Sequence, residues 1–203
     1  MKFNISRNYS AVFLFFLLSI LFTGATVMAE EAKQRILLDF EQSGDAANWS
    51  VINDVVMGGV SNSSFTVQKP GTAVFSGAVS LENNGGFASA NMKPAQFDVS
   101  GFDGIRFRVK GDGKNYKITL KNDGAFNGFS YRFEFSTKNG EWLTIDAPFS
   151  SFVPKFMGQT TSAPPVDTAK IKSFGFLIAD KQEGPFRLEI DWIGAYRKNL
   201  KLY

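Results

Sequence analysis

The chain has 203 residues, no cysteine and no histidine, and 22 Lys plus Arg against 19 Asp plus Glu, for a net charge of +3. Without cysteine there is no disulfide framework, so an apolar core must hold the fold. Without histidine the Ser-His-Asp triad, the usual general base and the commonest transition-metal ligand are excluded, and the near-neutral balance argues against a nucleic-acid binder, which concentrates basic charge.

Lys2 and Arg7 precede an apolar run from Ala11 to Phe22, and Val27-Met28-Ala29 set small residues at the minus-three and minus-one positions of a cleavage site. This pattern predicts a signal peptide over residues 1–29, with Ala25 as the alternative end, and a periplasmic or secreted location. A run of about twelve apolar residues falls short of the ~20 that span a bilayer, so the mature chain is expected to carry no transmembrane segment. Cleavage would remove two cations and no acid, leaving 20 basic against 19 acidic residues and a net charge of +1. Residues 30–203 suit one domain with a sizeable core.

Along that domain, strands are expected over residues 35–40, 64–67, 73–80 and 87–92. Ile105, Phe107 and Val109 then alternate with Arg106, Arg108 and Lys110, and Tyr116, Ile118 and Leu120 with Lys117, Thr119 and Lys121. Each is the pattern of a half-buried antiparallel strand. Tyr131, Phe133 and Phe135 repeat it, strands follow over 142–145 and 174–179, and Phe186, Leu188, Ile190 and Trp192 close the series. No stretch of the mature chain sustains a 3.6-residue period. Helix is expected only as short turns near Phe149 to Phe152 and after Asp167. Many short strands punctuated by Gly, Asn and Asp predict an all-β, antiparallel two-sheet sandwich. The longest irregular stretch, 156–166, is either a crossover or a functional loop.

Several residues invite a chemical role. Asp39 and Glu41 on the first strand with Asp191 on the last suggest a structural calcium ion, because oxygen ligands from both chain ends would tie the sandwich together. Carboxylates at strand ends are more often simply exposed. Phe126 and Phe129 lie in a Gly- and Asn-rich loop, where exposed rings would stack on a partner side chain or a sugar. Arg132 on the following strand supplies a cationic anchor. Arg106, Arg108, Lys110, Lys117, Lys121 and Arg132 would share one basic face if their strands were neighbours, either for an acidic partner or simply as a solvated surface. Asp54 and Asp180 are the carboxylates a glycoside hydrolase would need. Asp54 reads more simply as a brace bonding the backbone of its Gly-rich loop.

The segment Trp49-Ser50-Val51-Ile52-Asn53-Asp54-Val55-Val56-Met57-Gly58-Gly59-Val60-Ser61 contains an Asn-Asp-x-Val-Met-Gly-Gly-x-Ser block. The block resembles the signature of the complex I intermediate-associated protein family. Further landmarks in family order are Gly85-Gly86-Phe87-Ala88-Ser89, Phe102-Asp103-Gly104-Ile105-Arg106 with Gly111-Asp112-Gly113, Trp142 with Pro148-Phe149 and Phe152-Val153-Pro154, and Ile178 to Phe186. The resemblance spans Ile36 to Tyr196. It implies a galactose-binding-domain-like jelly roll, no catalytic activity, and a protein partner met during complex I assembly. One departure falls at Met157, where the resemblance implies an Arg before Gly158, so a contact made there would use a different side chain. An exported chain would not inherit the complex I role as such, and what carries over is a binding module with assembly-factor or chaperone-like activity on envelope or respiratory proteins. The alternatives are a carbohydrate-binding module and a carboxylate-dependent hydrolase.

Overall fold

The computed structural model describes residues 34–68, 71–123, 129–156 and 158–198, so the expected signal peptide, Phe126 and Met157 lie outside the described residues. The strands run β1 (Gln34–Leu38), β2 (Trp49–Asn53), β3 (Asn62–Val67), β4 (Ala73–Val79), β5 (Ala88–Met92), β6 (Gly104–Lys110) and β7 (Asn115–Lys121). They continue as β8 (Ser130–Ser136), β9 (Trp142–Pro148), β10 (Val153–Phe156), β11 (Gln159–Thr160), β12 (Ser173–Ile178) and β13 (Gly184–Tyr196). Short 3-10 turns at Ser43–Asn48, Asp54–Met57, Glu82–Asn84 and Phe149–Ser151 are the only helical elements among the described residues. The turn after Asp167 forms without becoming a helix: Asp167 Oδ1 accepts from Ala169 N at 3.2 Å.

Two sheets result, paired antiparallel throughout. The first is ordered β3-β4-β13-β6-β9, with β1 also on β13, and the second β11-β10-β8-β7-β12-β5-β2. Strand β13 is the spine of the first. One of its edges carries β6, from Glu189 to Tyr196, and the other is shared by β4 and β1. Alternation decides which face of each strand is buried. Ile105, Phe107 and Val109 of the first sheet meet Tyr116, Ile118, Leu120, Phe174 and Phe176 of the second across a fully apolar interior. Aromatic side chains supply much of that packing: Trp49 stacks on Phe65 at 4.3 Å, and Phe107 meets Phe135 edge-on at 5.0 Å. This is the jelly-roll sandwich the alternation and the resemblance predict.

The shared basic face does not form. Strand β6 belongs to the first sheet and β7 and β8 to the second, because the chain changes sheets at Gly111–Gly113. Outward residues of β6 and β7 therefore point to opposite sides of the molecule. On the first sheet every outward cation of β6 is matched. Arg106 pairs with Asp146 at 2.5 Å, Arg108 with Asp191, and Lys110 with Glu189 at 2.9 Å. Arg106 also lies over the ring of Tyr196, and Arg108 and Lys110 over that of Trp142.

Candidate functional site

Strand β2 ends at Asn53, and the next residue turns inward. Asp54 is fully buried, a costly place for a carboxylate unless its oxygens are satisfied. Four donors converge on it: Ser61 Oγ at 2.5 Å and Gly86 N at 2.6 Å on Oδ2, Ser61 N at 2.9 Å on Oδ1, and Phe87 N at 3.2 Å on Oδ2. The main chain repeats the link, with Asp54 N donating to Phe87 O and Gly59 N to Asp54 O. Ser61 Oγ in turn accepts from Ser80 N at 2.9 Å, Asn53 Oδ1 accepts from Ser63 Oγ at 2.6 Å, and Asn83 Nδ2 donates to Gly58 O at 3.2 Å. A knot thus joins the loop 54–60 to the loop 80–87. Its glycines are steric requirements. A Cβ on Gly59 or Gly85 would approach the Asp54 carboxylate to 2.4 or 2.5 Å.

Burial by itself pushes the Asp54 carboxyl up, but the Ser61 hydroxyl and the amides of Gly86, Ser61 and Phe87 outweigh it and hold the group below its ordinary 3.8. A carboxylate fixed by several amides stays ionised. With no proton to give at neutral pH and every donor pointing inward, it is a brace and not an acid or nucleophile. Asp180 does not complete a hydrolase pair with it: it sits in a left-handed turn conformation and is ion-paired to Lys117, which Glu134 also approaches at 3.6 Å.

The inward turn at Asp54 drives its successors outward. Val55, Val56, Met57 and Val60 are 60, 70, 69 and 47% exposed, forming an apolar crest on the knotted loop. Met57 is therefore a surface residue. Isolated exposed apolar residues are unremarkable, whereas here four share one braced loop. The signal for Val55, Val56 and Val60 in the sequence is that three consecutive apolar residues in a turn cannot all face inward.

Phe129 is exposed, as expected, and packs on exposed Phe156 with centroids 5.7 Å apart and planes at 60°. Arg132 is a direct cross-strand neighbour of Val153. Because Val153 and Phe156 have opposite parity in β10, the pleat puts Arg132 and the aromatic pair on opposite faces of the sheet. The structure thus separates two groups that the sequence suggested as one recognition edge. Burial pulls the pKa of Arg132 down, opposed by the charge of Asp180. It also lowers that of Lys121, where Asp123 opposes the shift and Arg132 adds to it.

The three proposed calcium ligands are not brought together. Asp191 sits where the β13–β6 register shifts and is taken by Arg108, while Asp39 Oδ1 accepts from Glu41 N at 3.4 Å. Among the described residues no three His, Cys, Asp or Glu side chains are grouped to hold a metal ion, and no helix is long and apolar enough to cross a membrane.

With this geometry in view, similarity to known proteins is informative. Residues 38–190 match the family described as complex I intermediate-associated protein 30. The mitochondrial complex I intermediate-associated protein 30 of Mus musculus is 29% identical over 84% of this chain and 58% of its own length. Its counterpart in Drosophila melanogaster is 26% identical over 78% and 62%, and the probable one in Caenorhabditis elegans 31% identical over 68% and 46%. The chain thus spans roughly half to three fifths of the relatives it matches. Their mitochondrial names overturn the expectation of a periplasmic or secreted protein and point to mitochondria instead. Among solved structures, the family 11 carbohydrate-binding module of the cellulosomal cellulase Lic26A-Cel5E of Clostridium thermocellum superposes with a TM-score of 0.61 at 21% identity, over 81% of this chain and 95% of that one. The family 11 module in complex with a β-1,3-1,4-mixed-linked tetrasaccharide gives 0.59 at 22%, over 81% and 96%. These likenesses establish the fold.

Proposed function

Since the chain belongs to the complex I intermediate-associated protein 30 family, we propose that it is a non-catalytic protein-binding module that holds a respiratory-complex assembly intermediate through the crest of Val55, Val56, Met57 and Val60. The observation that carries this reading is the coupling of crest and brace. Four exposed apolar side chains stand on a loop whose one buried charge accepts four hydrogen bonds. Such a surface loses little conformational entropy on docking, and preorganisation of that kind raises affinity. The crest offers apolar contact and no reactive group, which supports binding over chemistry.

The test is affinity isolation of the tagged chain from respiratory membranes of its own source, followed by native gels and identification of the captured subunits. Complex I subunits should co-purify with the wild type. A Val56→Ser/Met57→Ser double variant should lose them while melting at the same temperature, because both side chains already face water. Equal capture by the variant, or capture of no complex I subunit, overturns the proposal. A carbohydrate-binding role is favoured by the fold likeness alone, and calorimetry with the mixed-linked tetrasaccharide decides it. The outward strand positions of the second sheet carry no aromatic ring among the described residues, so no heat of binding is expected there.

A further inference from the structure

The outer face of the second sheet differs from that of the first in its floor and in its charge. Thr119, Ser173 and Leu177 point away from the interior by strand alternation and register, yet all are buried, so this face is recessed between longer neighbours. Its outward strand positions carry Lys117, Lys121, Arg132 and Lys155 against Glu134 alone. Lys117 takes both Glu134 and the loop residue Asp180, and Lys155 donates to Thr160 Oγ1 at 2.6 Å. Arg132 is engaged differently. Its Nε donates to Ser130 Oγ at 3.1 Å, and it is in no ion pair among the described residues. None of its nitrogens is both buried and unsatisfied, so the guanidinium fork opens toward solvent beside exposed Val153.

A planar fork with free donors matches a carboxylate bidentately. The half-buried setting leaves that contact less screened than a fully exposed one. We infer that the recessed outer face of the second sheet binds an acidic peptide segment of a protein partner, one carboxylate of which lies on Arg132 while a neighbouring apolar side chain rests on Val153. A sugar ring would want a flat aromatic platform, which these strand positions do not provide. The inference shares the protein-binding reading but concerns a different side of the molecule from the crest, so either can fail alone.

The probe is a fluorescein-labelled hexaglutamate peptide, titrated with the full chain by anisotropy at low and high sodium chloride. Wild type should bind and weaken as salt rises. Arg132→Gln should weaken binding about tenfold, the worth of a charge-assisted hydrogen-bonded contact, and Arg132→Lys, which keeps the charge but loses the fork, should fall between. Arg108→Gln removes the same charge from the opposite face and should bind like wild type. Should Arg132→Gln fail to fold, Arg132→Lys alone carries the test, with a loss of several-fold expected at unchanged melting temperature. Equal affinity of wild type and the Arg132 variants, or no binding at low salt, overturns the inference. Tighter binding of a tetragalacturonate oligosaccharide than of hexaglutamate overturns it in favour of an anionic glycan.

Discussion

Asp54 is a charge fully withdrawn from water and Arg132 one only half-buried, and the contrast between them shows how a structural charge differs from one proposed to bind. Around Asp54 four donors close on two oxygens and two glycines leave just the room they need. Around Arg132 one hydroxyl takes one nitrogen and the charge of Asp180 acts from nearby, but no carboxylate among the described residues is ion-paired with it. A saturated charge has no capacity left for a ligand, and its removal is felt by the fold. An unsaturated one contributes little to the fold, and its removal is felt by the partner. Burial alone, or the count of charges along a strand, would not tell the two apart.

The harshest way to break this contrast is Asp54→Ala, which strands the amides of Gly86 and Ser61. Leaving buried donors unmet costs about 1 to 3 kcal/mol each, so urea unfolding should show a loss of about 3 kcal/mol or more. A loss below ~1 kcal/mol would mean that Asp54 is not the brace described. Gly59→Ala should come next, at about 2 kcal/mol by overpacking. In the Asp54→Ala background the same change should cost less, because the clashing carboxylate is gone and neighbouring sites are not additive. Additive losses would show that the glycine acts through its backbone instead.

Acid sharpens the contrast further. The Asp54 pKa is depressed in the folded state, so its contribution is fully present above the unfolded-state value and disappears as pH falls through the folded one. Stability followed from pH 6 down to pH 2 should therefore drop more steeply for wild type than for Asp54→Ala in the region below the ordinary Asp value of 3.8. Parallel curves would contradict the hydrogen-bond account. The smallest effect belongs to Arg132→Gln, whose unfolding free energy should stay within about 0.5 kcal/mol of wild type. A larger loss would move Arg132 into the same class as Asp54.

Much of the sandwich was legible because half-buried strands write their burial into a period of two, as Ile105, Phe107 and Val109 do. What that period does not encode is which strands become neighbours. The split of Arg106, Arg108 and Lys110 from Lys117, Lys121 and Arg132 follows from long-range pairing of β6 with β13 and of β7 with β12. The hairpin of β10 and β11 was illegible for a local reason. Pro154 interrupts one strand, the other has two residues, and neither is long enough to show alternation. Asp54 as a brace was readable from its Gly-rich surroundings, but its donors proved to be Ser61, Gly86 and Phe87, the last two more than thirty residues away. The crest went unread because an apolar run in sequence looks the same whether it is destined for the core or for a partner.

The long spine of the first sheet bears on how the molecule can be made. Strand β13 supplies pairing partners to β1, β4 and β6, yet it follows all three in the chain. Until Gly184–Tyr196 emerges, three earlier strands wait with open edges and the first sheet has no centre, which exposes the nascent chain to mispairing. Closure between positions as distant as Gln34 and Tyr196 is a high-contact-order event and therefore slow. A sheet whose centre is made after its flanks leaves the edges of those flanks open in the interval, which is when a strand-shielding chaperone would act.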